Sequence, residues 1–158
     1  MTDAEVAAFL QGVELAAVAV YEEASAVLGS PAAVAAARTF VGHHLAHARA
    51  FGDLAGGLAV AAAPDAAREA VQPVTPLASE HDGLTLLAAL EARLAATQHA
   101  LLAHLSSTPA IALVATTLPV ECQHGVVLGT LLSEPLAQLV PTTQGDDGRL
   151  LPEPLAGP

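Results

Sequence analysis

Apolar residues recur at alternating spacings of three and four along four stretches of the chain, which is the pattern of one buried face per helix. The spacing predicts helices over 3–28, 31–57, 80–106 and 109–133. In the first, the seam runs through Ala7, Leu10, Glu14, Ala17, Tyr21, Ala24 and Leu28. In the second it runs through Ala33, Ala37, Phe40, His44, His47, Phe51, Leu54 and Leu58. The third carries Leu84, Leu87, Glu91, Leu94, Gln98, Leu101 and Leu105. The fourth carries Ile111, Val114, Leu118, Glu121, Leu128 and Leu132, with His124 beside it. Capping chemistry marks the starts. Thr2 and Glu5 have capping-box spacing, Ser30 and Thr108 each place a hydroxyl before a proline, and Ser79 precedes Asp82 by three residues. Pro119 is expected to kink the fourth helix just before Glu121 and free a carbonyl near it.

The connections set the topology. The first and second helices, and the third and fourth, are joined by tight turns, so each pair should be an antiparallel hairpin. About 22 residues with Pro64, Pro73 and Pro76 separate the hairpins. A helix of about 26 residues is about 39 Å long, and 22 extended residues reach about 70 Å, so this stretch can cross the whole length of the pair. A short helical turn is expected within it, from Asp65 to Val71. Residues 134–158 hold five prolines and the sequence Gly145-Asp146-Asp147-Gly148, read as a turn, and cannot supply a long fifth helix. The expected architecture is therefore all-α, with a four-helix bundle over 1–133 and a Pro/Gly-rich tail over 134–158 that packs on it or trails from it.

Composition narrows the function. With 158 residues the chain has the length of one domain. It is 53% hydrophobic and 13% charged, which excludes a disordered chain. Sixteen acids face five arginines and no lysine, giving a net charge of −11, the wrong balance for gripping a phosphate backbone. An acidic bundle attracts cations instead. One cysteine, Cys122, leaves no internal disulfide framework and no CxxC site, and is expected to be a small buried hydrophobe. The acidic start, Met1-Thr2-Asp3-Ala4-Glu5, has no basic segment ahead of an apolar one, so the expected address is the cytoplasm. The charge-free run from Leu94 to Val120 is broken by Gln98, His99, His104, Pro109 and Pro119, and reads as two helices and a turn rather than a membrane span.

The seams carry a conflict that points to chemistry. Glu14, His44, His47, Glu91, Glu121 and His124 stand on stripes that should be apolar, and burying unpaired charge is costly. A metal is a common partner for three carboxylates and three imidazoles. Counted from the turns, Glu14 is level with His44 and Glu91 with Glu121, each pair to within about 5 Å and near the middle of the helices. His43 competes with its neighbours, since it shares a face with His47. Tyr21 reads as a core tyrosine with a hydrogen bond, and Gln98 as a polar group beside the site. His81, His99 and His104 read as surface or interface residues. The alternative is a non-catalytic interaction module whose polar seam holds no metal or holds one weakly.

With one Glu on each of two helices, Glu121-Cys122-Gln123-His124 as Glu-x-x-His, and His44-Leu45-Ala46-His47 where the other Glu-x-x-His belongs, residues 1–133 resemble the ferritin-like superfamily. That superfamily comprises the rubrerythrin and ferritin type of di-iron carboxylate bundle. The alanine-rich, lysine-free composition is similar to that of small ferritin-like proteins from GC-rich bacteria. The resemblance implies Glu14, His44, His47, Glu91, Glu121 and His124 as ligands of one or two iron or manganese ions, with zinc as a further occupant. It also implies oxidoreductase chemistry on dioxygen or peroxide, and a homodimer. His44 departs from the pattern, because it stands where a bridging carboxylate would be and removes one negative charge. The chain also lacks the fifth helix of the storage cages and the four-cysteine iron domain of rubrerythrins.

Overall fold

A computed structural model of the chain describes residues 1–73, 75–139 and 148–152. Among them the regular structure is helical: α1 (Asp3–Ser25), α2 (Pro31–Ala55), α3 (Asp65–Val71), α4 (Glu80–Leu102), α5 (Thr108–Leu131) and α6 (Leu136–Leu139), with one 3₁₀ turn at Gly56–Leu58. The all-α class and the short helix from Asp65 to Val71 are as expected. Residues 140–147, which include most of the expected Gly145–Gly148 turn, lie outside the described residues, as do 153–158 of the tail.

Each long helix starts on a side-chain cap. Thr2 and Glu5 form the reciprocal capping box of α1, Ser30 accepts from the Ala33 amide ahead of α2, and Ser79 accepts from the Asp82 amide ahead of α4. The cap of α5 is Ser107, which accepts from the Ala110 amide, and not Thr108 as the sequence suggested. The two hydroxyls are adjacent, and placing Ser107 at the cap puts Pro109 in the first turn, where its missing N–H costs nothing. All four long helices stop two to four residues short of their expected ends. α2 ends where Gly56 turns to φ 58, a conformation glycine adopts without steric penalty.

α1 packs along α2 and α4 along α5, and α1 also meets α4 while α2 meets α5. Acidic residues lock the ends of one pair to the turn of the other. Glu80 Oε2 accepts from the Gly29 and Ser30 amides at 2.6 Å each. Asp3 accepts from the Ser106 and Ser107 amides at 3.0 and 2.7 Å. These contacts fix the register of one pair against the other, which is what brings residues far apart in sequence to one level.

The segment after α2 crosses over α1. Pro64 sits so close to Gly12 that a Cβ there would lie 2.8 Å from the proline ring, and α3 packs on α1. Arg93 of α4 then donates from Nη1 to the Ala70 carbonyl at 2.7 Å and from Nε to the Gly148 carbonyl at 3.0 Å. The Leu150 amide donates to Thr97 Oγ1 at 2.7 Å. The described part of the tail is therefore strapped along α4, and α6 lies against α5 with Leu139 over Gly129.

Two apolar clusters fill the interior. One holds Tyr21, Phe40, Leu84, Leu87 and Leu128; the other holds Val6, Leu10, Phe51, Leu101 and Val114. On α2 and α5 the charged seam residues fall between the two, while Glu14 and Glu91 sit beside Val13 and Leu90 of the first. Leu58 and Ile111, expected on the seams, are 51% and 41% exposed, and Leu118 is only partly buried. Ala110 and Thr117 take the buried stripe of α5 in their place, one residue round the helix. α1 and α5 are long and apolar enough to cross a membrane by length and composition alone; 61% of that window of α1 is buried, against 28% of α5.

Candidate metal centre

Four helices deliver the site. Glu14 comes from α1, His44 and His47 from α2, Glu91 from α4, and Glu121 and His124 from α5. The i,i+3 spacings of His44–His47 and Glu121–His124 put both members of each pair on one helical face. All six sequence-derived candidates converge. Glu14, Glu91, Glu121, His44 and His124 are at most 2% exposed, while the His47 side chain keeps 12% exposure.

Their donor atoms form two overlapping groups: Glu14, His44, His47 and Glu121, and His44, Glu91, Glu121 and His124. Within each group one ligand atom per residue lies within 4.8 Å of the others. His44 and Glu121 belong to both. His44 Nδ1 meets Glu14 Oε2 at 2.8 Å and its Nε2 meets Glu91 Oε1 at 3.1 Å. His124 Nδ1 lies 3.3 Å from both Glu91 Oε2 and Glu121 Oε2.

Two atoms stand apart from this pairing. His47 Nδ1 and Glu121 Oε2 are buried and make no hydrogen bond. His47 Nδ1 is 2.8 Å from Glu121 Oε1, close enough for a bond but without the alignment for one. Leaving such atoms unsatisfied costs about 1–3 kcal/mol each, which a bound cation removes. The donor set, imidazole with carboxylate, suits zinc, iron and manganese.

A ring of neutral groups orients the carboxylates. Gln98 Nε2 donates to Glu14 Oε1 at 3.0 Å and reaches Glu121 Oε1 at 3.4 Å, and its Oε1 accepts from Thr117 at 2.6 Å. Tyr21 donates its hydroxyl to Glu91 Oε1. Burial and the Glu91 charge push the Tyr21 hydroxyl up, so it remains a donor. His43 is exposed, and its Nδ1 lies 2.8 Å from His124 Nε2. It braces His124 from outside and stands outside both groups. Such outer partners fix the orientation of a ligating histidine. Sequence reasoning anticipated Tyr21 and Gln98. It missed Thr117, whose signal was the i,i+4 step to Glu121, and it read His43 as a rival and not as a brace.

The carboxylates favour the protonated form of the imidazoles they face. Burial lowers the His44 imidazole, but its hydrogen bonds to Glu14 and Glu91 outweigh it and hold the group well above its ordinary value. His47 is raised to about 9, because Glu121 and Glu14 overcome the cost of burial. His124 is raised in the same way by Glu121 and Glu91. Burial pushes Glu91 up, yet His124 and His44 override it and bring the carboxyl down to about 2. His43 moves the other way, lowered by burial and by the neighbouring His124.

One expectation fails nearby. Cys122 is exposed, not buried, because α5 turns Glu121 and His124 inward and carries the residue between them outward. Pro119 is exposed, and α5 runs through it as one helix from Thr108 to Leu131. His81, His99 and His104 are exposed, as expected.

Compared with protein-family models, curated proteins and solved structures, the chain matches none.

Proposed function

We propose that this protein is a metal-binding four-helix bundle of the ferritin-like type, with two antiparallel hairpins joined by the long crossover and a di-iron or di-manganese centre that acts on dioxygen or peroxide. The observation that carries this reading is the convergence of three carboxylates and three imidazoles from four helices, with two buried ligand atoms left without hydrogen bonds. Two overlapping groups sharing His44 and Glu121 suit a pair of ions better than a single one. Bound iron or manganese would supply redox exchange with an oxygen substrate.

The protein's own residues hold and prepare that centre. Glu14 and His47 would serve one half, Glu91 and His124 the other, and His44 and Glu121 reach both. Gln98 and Tyr21 hold the carboxylates in place from the neutral side. On metal uptake the imidazoles give up their protons, since a ligating histidine is neutral. A single zinc ion on either group is the reading in which His44 has retuned the site.

A second reading has one observation in its favour. Both nitrogens of His44 are engaged by carboxylates, so the cluster can stand as a buried ion-pair network in a non-catalytic interaction protein. Substitution separates the two. In the metal-centre reading Glu121→Ala and Glu14→Ala abolish metal uptake, and chelator lowers the Tm of the loaded wild type through linkage. A Tm indifferent to both metal and chelator assigns the cluster to the ion-pair network.

A further inference from the structure

A cleft of about 250 Å³ opens between α4 and α5 beneath α6. Ala88, Ala92 and Ala95 of α4, Gly125 of α5 and Leu139 of α6 form its walls. Glu91 and Glu121, both fully buried, close its inner end, while the exposed Cys122, Glu134 and Gln138 border it outside. Of the six clustered side chains, these two carboxylates are the ones that line it. Glu121 also carries the buried oxygen that makes no hydrogen bond.

We propose that this cleft is a binding site for a small, uncharged, apolar molecule, delivered against the Glu91–Glu121 face of the cluster. Its catalytic meaning rests on the metal-centre reading above; the binding itself does not. Three observations select the ligand class. The walls are methyl groups, a glycine and a leucine, and so offer contact surface and no hydrogen bonds along the way. Glu91, Glu121 and Glu134 repel anions. The volume lies between the roughly 150 Å³ that holds benzene in a protein core and the roughly 300 Å³ at which drug-sized pockets begin. A one- or two-ring hydrocarbon or a molecule of similar bulk fits.

The small wall residues make the space. α6 roofs it by setting Leu139 onto Gly129, where an added Cβ would lie 2.2 Å from the leucine methyl. A side chain at that position would lift the roof. The tail after α5 is thereby part of the site and not an appendage.

The test uses the full chain, free of metal, with ¹³C-labelled alanine methyls and toluene as the probe. Saturable shifts at Ala88, Ala92 and Ala95 are expected. Ala92→Phe fills the cleft from an exposed position and should weaken toluene at least tenfold while the variant keeps a cooperative melt. Ala88→Leu is the second plug should the first unfold. Absence of saturable shifts in the wild type, or shifts that persist in both folded plugs, overturns the proposal. A separate zinc titration of the wild type keeps the two claims apart: toluene binding without zinc binding upholds the cleft and removes the metal.

Discussion

In the metal-centre reading, protons and the ion compete for the same side chains. His47, raised to about 9 from 6.5, contributes stability that is fully present below its unfolded value and lost as pH climbs through the folded one. The metal-free protein should therefore lose on the order of 3 kcal/mol between about pH 6.5 and 9, read by denaturant midpoint against pH. His47→Gln should flatten that limb. Metal affinity should rise over the same window, because each ion must displace those protons. Glu91 works at the acid end: its contribution holds above 4.5 and fades as pH falls through about 2. Tyr21→Phe removes a donor from a buried carboxylate and should cost the metal-free protein roughly 1–3 kcal/mol in chemical denaturation. All six clustered residues were legible in the sequence, since a charge on an apolar stripe is visible from periodicity alone. Thr117 was not, because a threonine on a helix raises no such conflict, and Cys122 was misread by the general burial habit of cysteine.

Among the elements, the caps and prolines fixed the helix starts, and the charged seam residues fixed which face turned inward. The ends were less legible. Alanine-rich sequence continues to favour helix past the point where tertiary contacts stop it, so each long helix was expected to run too far. On α5 alanine and threonine fill the stripe beside two larger apolar residues, Ile111 and Leu118, which drew the expected seam one residue round. The crossover depends on close approach as well as length. Gly12→Ala would gain roughly 0.5–1 kcal/mol from helix propensity, but its methyl meets Pro64 at 2.8 Å. Overpacking of this kind costs roughly 1–3 kcal/mol, so the variant should be net destabilised, with a lowered denaturant midpoint.

At the scale of the whole molecule, two helix pairs are locked at their turns by Glu80 and Asp3, and the cluster is bordered by both apolar cores. The outer face of α5 is apolar, with Ile111 and Val127 each 41% exposed. Its one charged carboxylate, Glu121, turns inward, and much of its apolar length stays uncovered. We expect a second copy to cover it, and light scattering at working concentration should return twice the chain mass; a monomer would remove that expectation. The central claim is the metal centre, and the measurement that reaches it most directly is an anaerobic Fe(II) titration of metal-free protein, followed by air while the near-ultraviolet is watched. Uptake near two ions per chain with an oxidation band, both lost in Glu121→Ala, is the predicted result. No uptake by the folded wild type would contradict the account and leave a buried ion-pair network in place of a metal centre.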